Sequence, residues 1–210
     1  MQKVLYILSQ TLSIILHPLF MPTYGMILYM MVMQNRLSNL PSLYIWLSII
    51  GTSILTAIIP ISLIFILLKK GQIDSLHIEN SKQRTTPYIY TLICFGFWCY
   101  FLRVTMHLPH IWLFIAIGAT IALAIVILIN HWWKISAHLT GMGGLLGGIC
   151  SMALFYTMLP SALIISVLII SLLLMYARLY TNAHTPMQVV SGYLLGILCT
   201  FIPNLIIYYA

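Results

Sequence analysis

The chain has 210 residues, 62% of them hydrophobic and 5% charged, with a mean hydropathy of +1.06. Asp74 and Glu79 are its two acids against nine lysines and arginines, which gives a formal net charge of +7. Such a composition excludes a soluble globular domain and predicts an integral membrane protein. It also argues against a nucleic-acid partner, because no soluble face is left to carry a basic patch.

The length limits the number of membrane crossings. One crossing takes ~20 apolar residues, so the chain has room for about six or seven transmembrane helices with short loops. Irregular backbone is costly in hydrocarbon, which favours an all-α polytopic bundle with residues 1–210 forming a single membrane domain. The four cysteines fall in apolar segments without CxxC spacing, which is typical of small packed residues and not of disulfides or zinc ligands.

The first half of the chain begins with an unusual span. Residues 4–34 are apolar but interrupted by the pair His17-Pro18, which predicts a kinked or interfacial first element that is retained and not cleaved. A clear span is predicted over 43–68. The most polar segment of the chain follows, over 69–86.

The second half is predicted to continue as spans with short polar connections. Thr86-Pro87 is typical of an N-cap followed by proline at the first helical position, so a helix is expected over 87–106. Ser136 is expected to cap a later helix, and glycines at GxxxG spacing within that helix predict close helix packing without chemistry. The remaining spans are predicted over 111–129, from Ser136 to about 159, over 161–178 and over 186–207, and the glycine pairs are Gly143/Gly147 and Gly144/Gly148.

Three polar segments, at residues 70–86, 131–138 and 178–185, are each separated from the next by two predicted spans. They are therefore expected on the same side of the membrane, where they can meet. Ionisable groups at bilayer depth are costly and usually functional. The sequence thus predicts a site at this face, built from Lys82, Arg84, Lys134, Ser136, His138, Arg178 and His184.

The residue types of this set indicate the chemistry. The second and third segments contain no acid, which argues against a carboxylate metal site and against paired-carboxylate catalysis. Arginines beside the histidines also make a zinc site electrostatically poor. They suit a phosphate, because a guanidinium presents a fork of donors to its oxygens. One imidazole can attack phosphorus while the other protonates the leaving oxygen, and Ser136 with the amide of Ala137 can add donors at a helix N-terminus.

Two short motifs carry a resemblance to a known family. The third segment reads Ala177-Arg178, five residues, His184, three residues and Gln188, and the second reads Ile-Ser-Ala-His, ending at His138. This order and spacing resembles the type 2 phosphatidic acid phosphatase superfamily of membrane lipid phosphatases. The family's first motif is reduced here to Arg84 with Pro87 three residues later, where the family has proline directly after the arginine. His77 stands at the spacing where the family has lysine.

The resemblance, which covers about residues 77–190, implies roles for individual residues. It implies that His184 is the nucleophile that forms a phosphohistidine and that His138 is the acid for the leaving group. It further implies that the phosphate is held by Arg84, Ser136 and Arg178, without a metal or other cofactor. The implied substrate is an isoprenoid or glycerolipid phosphate in the bilayer.

The departures from the family pattern leave alternatives open. Lys82 and Lys134 are both candidates to replace the missing lysine. Gln188 stands where the family has aspartate, and it is expected either to orient His184 or to close a capping box with Thr185. A His-Thr-x-x-Gln ending also resembles that of the dolichyl diphosphate phosphatase branch. Histidines without a partner pattern are expected at the membrane interface and not in the site, namely His17, His107 and His110.

These observations predict a membrane phosphatase acting on a lipid phosphate or diphosphate, with undecaprenyl diphosphate as the leading substrate. The alternatives are a lipid phosphotransferase using the same site and a non-catalytic lipid-binding protein with a degenerate site. The basic residues would place the site face in the cytoplasm by the positive-inside bias, but the site itself explains most of them. The resemblance favours the periplasmic face of a bacterial inner membrane. No oligomeric state is predicted.

Overall fold

The computed structural model describes residues 2–36, 40–74, 81–155 and 161–209, without the side chains of residues 35, 36, 81 and 82. Every regular element in these ranges is helical, so the prediction of an all-α protein is confirmed. The α-helices described are α1 (Gln2–Ile15), α2 (Met21–Arg36), α3 (Ser42–Ser53), α4 (Ile59–Lys69), α5 (Ser81–Tyr100), α6 (His110–Ile129), α7 (Ala137–Phe155), α8 (Ser161–Tyr180) and α9 (Pro186–Tyr209). A 3₁₀ turn (Pro18–Phe20) and π-helical turns (Ile54–Ile58, Phe101–Thr105) connect or extend them.

The bundle is a membrane protein by its helix lengths and by its surface. Seven helical segments in the described ranges are long and apolar enough to cross a bilayer, and α3 and α4 form one of them together with the π-helical turn between them. Large apolar side chains point outward, among them Trp46, Phe97 and Leu172, each 60–64% exposed. In water such a surface would be unfavourable, whereas lipid solvates it.

Helix α7 is the centre of the bundle because its glycines let neighbours approach closely. A Cβ at Gly143 would overlap the backbone carbonyl of Tyr193 in α9, and one at Gly196 in α9 would overlap the carbonyl of Thr140. Glycine is therefore required where these two backbones touch. The prediction that the GxxxG pairs serve packing is confirmed for Gly143 and Gly147, which both face α9.

Helix α1 lies with both of its ends near one end of the bundle. The Tyr180 hydroxyl, at the end of α8, donates to the carbonyl of Gln2 (3.3 Å), and the His138 ring, at the start of α7, donates to the carbonyl of Ser13 (3.2 Å). A helix of 14 residues is ~21 Å long, too short for an ordinary crossing. Helix α1, the 3₁₀ turn and α2 together form the first segment that is long enough to cross, Gln2–Gln34.

One predicted helix start and one predicted side-chain cap were wrong. The helix expected to open at Thr86-Pro87 begins at Ser81 and contains Pro87, so Thr86 is not its cap. Its first turns are polar, and the Gln83 side chain holds Asp74 by two hydrogen bonds (2.8 and 3.3 Å), which supports a helix start ahead of the proline. Ser136 does precede α7, and its carbonyl accepts the Thr140 N–H (2.9 Å), but its side-chain oxygen makes no cap. Helix α7 is described as far as Phe155, and the predicted extension to 159 lies outside the described residues.

Candidate functional site

The end of α8 is shaped by a tight turn that returns the chain toward Arg178. Asn182 adopts the left-handed conformation (φ 52°), which asparagine tolerates better than most residues, and the Ala183 N–H donates to the Arg178 carbonyl (3.2 Å). This arrangement closes the last turn of α8 and begins a short connection to α9. Because the chain turns back here, Arg178 and His184, six residues apart, place their side chains in the same cavity.

The cavity has a volume of about 190 Å³, and its polar end lies where the three polar segments meet. Helix α5 contributes Arg84, α7 contributes Ala137 and His138, and α8 with the following loop contributes Arg178 and His184. The convergence expected from counting spans is therefore present for these five residues. Whether they act on a phosphate stays a prediction.

His184 is held in one orientation by two acceptors on the same ring nitrogen. Its Nδ1 lies 3.2 Å from the Lys134 carbonyl and 3.3 Å from the Gln188 side-chain oxygen. Because a carbonyl oxygen can only accept, Nδ1 must carry the proton in the neutral ring. The lone pair is then on Nε2, the nitrogen that is available to attack.

The surroundings of His184 also keep its ring neutral. The side chain is only 8% exposed. Burial first, and then the positive charges of Arg178 and Arg84, lower the pKa of His184 from 6.5 to about 4, while its hydrogen bond to Gln188 partly opposes this shift. At neutral pH the imidazole is therefore unprotonated, as a nucleophile requires.

Gln188 fulfils both roles that the sequence offered as alternatives. Its side-chain oxygen accepts the Thr185 N–H (3.1 Å), and the Gln188 N–H lies 3.5 Å from the Thr185 hydroxyl, which together make a capping box at the start of α9. The same oxygen faces His184 Nδ1 at 3.3 Å. One carbonyl oxygen thus caps the helix and orients the histidine. The Gln188 backbone carbonyl also accepts the Ser136 N–H (3.2 Å), which joins the second and third segments.

Two guanidinium groups give the polar end of the cavity its positive charge. Arg84 is 8% exposed and hydrogen-bonds to Tyr88 one turn later in α5. Its charge also acts on Arg178, whose Nε is buried and has no hydrogen-bond partner within the described residues. The charged groups that act on Arg178 and His184 are cationic apart from the tyrosine. An anion in the cavity would relieve this like-charge repulsion and supply acceptors for the buried donors.

The His138 ring is hydrogen-bonded to the amino-terminal helix α1. Its Nε2 lies 3.2 Å from the Ser13 carbonyl, so that nitrogen donates and Nδ1 is the nitrogen left for other partners. The His17 ring stands 5.3 Å from the His138 ring in an edge-to-face arrangement and also lines the cavity. The Nδ1 of His17 accepts the Leu19 N–H (3.4 Å) and caps the 3₁₀ turn.

Two predicted phosphate ligands, Ser136 and Lys134, do not line the cavity, and the side chain of a third, Lys82, lies outside the described residues. The Ser136 side chain is fully buried with an unpartnered hydroxyl, but it is not part of the cavity wall. The Lys134 backbone carbonyl accepts from His184 Nδ1, and the Gln188 side chain contacts the same nitrogen outside the cavity wall.

The structure adds two residues that sequence reasoning did not place in the site. Tyr88 and His17 both line the cavity, and the interfacial position expected for His17 was therefore incomplete. The available signal was the shortness of the segment ahead of His17-Pro18, which cannot cross a bilayer and so returns its end to the site face. His107 and His110 lie at the other end of the bundle, between α5 and α6.

The donor set of the cavity suits an anion better than a metal ion. Among the described residues no group of three or more histidine, cysteine, aspartate or glutamate side chains is arranged to hold a metal. The polar end instead combines two guanidinium groups, a histidine with a free Nε2 and the start of helix α7. No protein-family model, curated protein or solved structure matches the chain. The case for a function therefore rests on the residues of the site.

Proposed function

We propose that the protein is a metal-independent phosphatase of the membrane that hydrolyses a lipid phosphate or diphosphate through a phosphohistidine at His184. The observation that carries the proposal is the oriented, neutral His184 beside Arg84 and Arg178 in a cavity that opens into the apolar interior of the bundle. The resemblance of the Arg178 to Gln188 segment to type 2 phosphatidic acid phosphatases agrees with it.

The first chemical step forms a bond between His184 Nε2 and phosphorus and breaks the bond from phosphorus to the lipid oxygen. The guanidinium groups of Arg84 and Arg178 and the amide of Ala137 at the start of α7 stabilise the charge on the phosphoryl oxygens. His138 in its protonated form gives the leaving oxygen its proton. Since the Ser13 carbonyl occupies Nε2, the donor is Nδ1.

The second step returns the site to its starting state. Water attacks phosphorus and gives up a proton to His138 Nδ1, and the bond from His184 to phosphorus breaks. The products are inorganic phosphate and a lipid alcohol, or a lipid monophosphate where the substrate is a diphosphate. Throughout, Gln188 keeps the His184 proton on Nδ1 but adds no negative charge to stabilise the phosphorylated ring.

The proposed substrates are lipids because the cavity continues from the charged end into an apolar region between α5, α6 and α7. On the sequence resemblance alone, polyprenyl diphosphates such as undecaprenyl diphosphate lead the candidates, followed by phospholipid phosphates. We further propose a bacterial inner membrane as the location, with the site facing the periplasm.

The experiment compares phosphate release by wild type, His184→Ala and His138→Ala in the presence of a chelator. Wild type is expected to hydrolyse alkyl phosphates without metal, and His184→Ala to lose all turnover. Loss of a general acid slows a reaction by about 10²–10⁴-fold, so His138→Ala should lose that much with alkyl phosphates. With p-nitrophenyl phosphate, whose leaving group needs no proton, His138→Ala should lose far less.

The control is His107→Ala, which removes an exposed histidine at the far end of the bundle and is expected to match wild type. Phosphate release by wild type that is no faster than by His184→Ala refutes the proposal. A phosphorylated His184 that passes its group to an added lipid alcohol in preference to water identifies a phosphotransferase. Lipid phosphate binding without any phosphorylated His184 identifies a non-catalytic protein.

A further inference from the structure

The apolar part of the cavity extends far from its charged end, which is formed by Arg84, His138, Arg178 and His184. Three helices that line the cavity give the same distance from that end to the far end. Trp98 lies 14 residues after Arg84 in α5, and Met152 lies 14 residues after His138 in α7. In α6, which runs the other way, Trp112 lies 14 residues before Val126 at the charged end. With a rise of 1.5 Å per residue, each helix places the far end of the cavity about 21 Å from the charged end.

The far end is closed by side chains that are fixed in place. Trp98, Trp112 and Met152 are each no more than 3% exposed. The Trp98 indole N–H donates to the Thr52 hydroxyl (3.1 Å), and the Trp112 ring stacks on Tyr29 with ring centres 4.9 Å apart. A floor held by such contacts cannot move aside without losing them.

One wall of the apolar part consists of glycines on a single face of α7. Gly141, Gly144 and Gly148 line the cavity, while Gly143 and Gly147 face α9. A Cβ at Gly144 would meet only the Thr200 methyl group at 3.6 Å, so a larger side chain there would project into the cavity. Gly144 therefore leaves space, whereas a Cβ at Gly148 would come within 3.1 Å of the Ile115 side chain, so the second GxxxG pair does not serve packing alone. About 190 Å³ spread over a depth of about 21 Å makes a narrow channel.

We propose that this apolar part is a blind tunnel for one hydrocarbon chain of the lipid phosphate, and that its floor of Trp98, Trp112 and Met152 limits the length of chain that binds. The inference rests on the proposed function for the identity of the charged group. It narrows the candidates of the proposed function to lipids that carry a single chain of limited length on the phosphate. Two-chain phospholipids and undecaprenyl diphosphate, which the sequence resemblance favours, are placed behind them.

The experiment measures kcat/KM for a series of monoalkyl phosphates of increasing chain length, below the concentrations at which they form micelles, with the protein in nanodiscs. Each methylene that enters an apolar site contributes about a fourfold gain in affinity, so kcat/KM should rise with length and then level off. Gly148→Leu and Gly144→Leu place a side chain about 15 Å and about 9 Å from the charged end. The plateau should therefore come at shorter chains in Gly148→Leu, and at the shortest in Gly144→Leu.

Two further variants make the comparison specific. Met152→Ala removes part of the floor and should move the plateau to longer chains. Gly96→Leu is the matched control, because Gly96 is exposed in α5 and a Cβ there meets nothing within 4 Å. It should keep the wild-type profile. Substrates partition into the nanodisc equally for all variants, so partitioning cannot cause a difference between their length profiles. A variant that matches the wild-type rate with the shortest substrate is folded.

The outcomes separate this inference from the proposed function. If phosphate is released but all variants share one length profile, or if an undecaprenyl phosphate matches the best short chain, the tunnel is refuted and the phosphatase stands. If no substrate is hydrolysed, alkyl phosphonates with the same chain lengths are tested for binding. A plateau that still shifts in Gly144→Leu then supports the tunnel although the phosphatase has failed, and a plateau that does not shift refutes the tunnel as well.

Discussion

At the scale of single residues, the side-chain oxygen of Gln188 controls two structures at once. It caps α9 through the Thr185 N–H and fixes the tautomer of His184 through Nδ1. A carboxylate at this position would make the same contacts and add a negative charge next to the ring. The glutamine leaves His184 among positive charges, and this contributes to the low pKa of about 4.

We predict that replacing Gln188 by glutamate raises the pH at which activity is lost. Protonation of His184 blocks attack, so kcat/KM of wild type should fall with a midpoint near pH 4 as the pH is lowered, well below the ordinary 6.5 of histidine. In Gln188→Glu the added charge favours the protonated ring, and the midpoint should move upward. The measurement is the pH profile of kcat/KM with one alkyl phosphate, whose own ionisation is the same for both proteins.

Thr185→Ala is the control for this comparison. It removes the hydroxyl half of the capping box, 3.5 Å from the Gln188 N–H, without removing any contact of His184. Stability should fall by about 0.5–2 kcal/mol, as for other lost N-caps, while the midpoint stays at the wild-type pH. An equal shift of the midpoint in both variants would mean that the cap, and not the charge, sets the titration of His184.

At the scale of elements, helix α7 separates two functions onto two faces. Gly143 and Gly147 let α9 approach, whereas Gly144 and Gly148 line the cavity. A Cβ at Gly143 would overlap the Tyr193 carbonyl, whereas one at Gly144 would meet only the Thr200 methyl group at 3.6 Å, so adjacent glycines have different effects. Spacing in the sequence cannot distinguish these faces, since both pairs share the GxxxG pattern.

We predict that Gly143→Ala destabilises the protein although alanine is the better helix former. The helix propensity of alanine favours the substitution by up to about 1 kcal/mol. Its methyl group, however, would overlap the Tyr193 backbone carbonyl, and overpacking of this kind costs about 1–3 kcal/mol. Thermal unfolding in detergent should show a lower midpoint for Gly143→Ala. Gly96→Ala, at an open lipid-facing position, should leave the midpoint unchanged or raise it, and equal effects at both positions would contradict the packing argument.

At the scale of the whole molecule, an even number of crossings between polar segments brings the cationic groups to one face. The Ser13 carbonyl of α1 and the His17 ring, two residues beyond α1, lie at the same end beside His138. The opposite end contains the connection between α5 and α6, with His107 exposed there. The two ends are therefore chemically distinct, and their sidedness can be measured.

We predict that the site end faces the periplasm in a bacterial inner membrane. Trp132, 76% exposed next to the site, and His107, exposed at the other end, are changed singly to cysteine in a background that lacks the four native cysteines. A membrane-impermeant maleimide should label Trp132→Cys in intact cells and label His107→Cys only after the inner membrane is permeabilised. The reverse pattern would place the site in the cytoplasm.

The sequence by itself determined the fold class, the approximate spans and the meeting of Arg84, His138, Arg178 and His184. It could do so because a backbone in hydrocarbon must satisfy its own hydrogen bonds, which makes long apolar segments helical and fixes on which side each connection emerges. It did not determine where α5 begins, because the polar turns before Pro87 are held by a contact from Gln83 to Asp74.

Only the tertiary structure decided which side chains reach the cavity and how deep it is. Ser136 has the residue type and spacing of a phosphate ligand, yet it is buried away from the cavity wall, whereas His17, far away in sequence, stands beside His138. The orientation of His184 by the Lys134 carbonyl and the floor at Trp98, which donates to Thr52, likewise depend on contacts between distant segments. Hydropathy and spacing specify on which side of the membrane a residue lies, but the direction of a side chain is set by the helices packed around it.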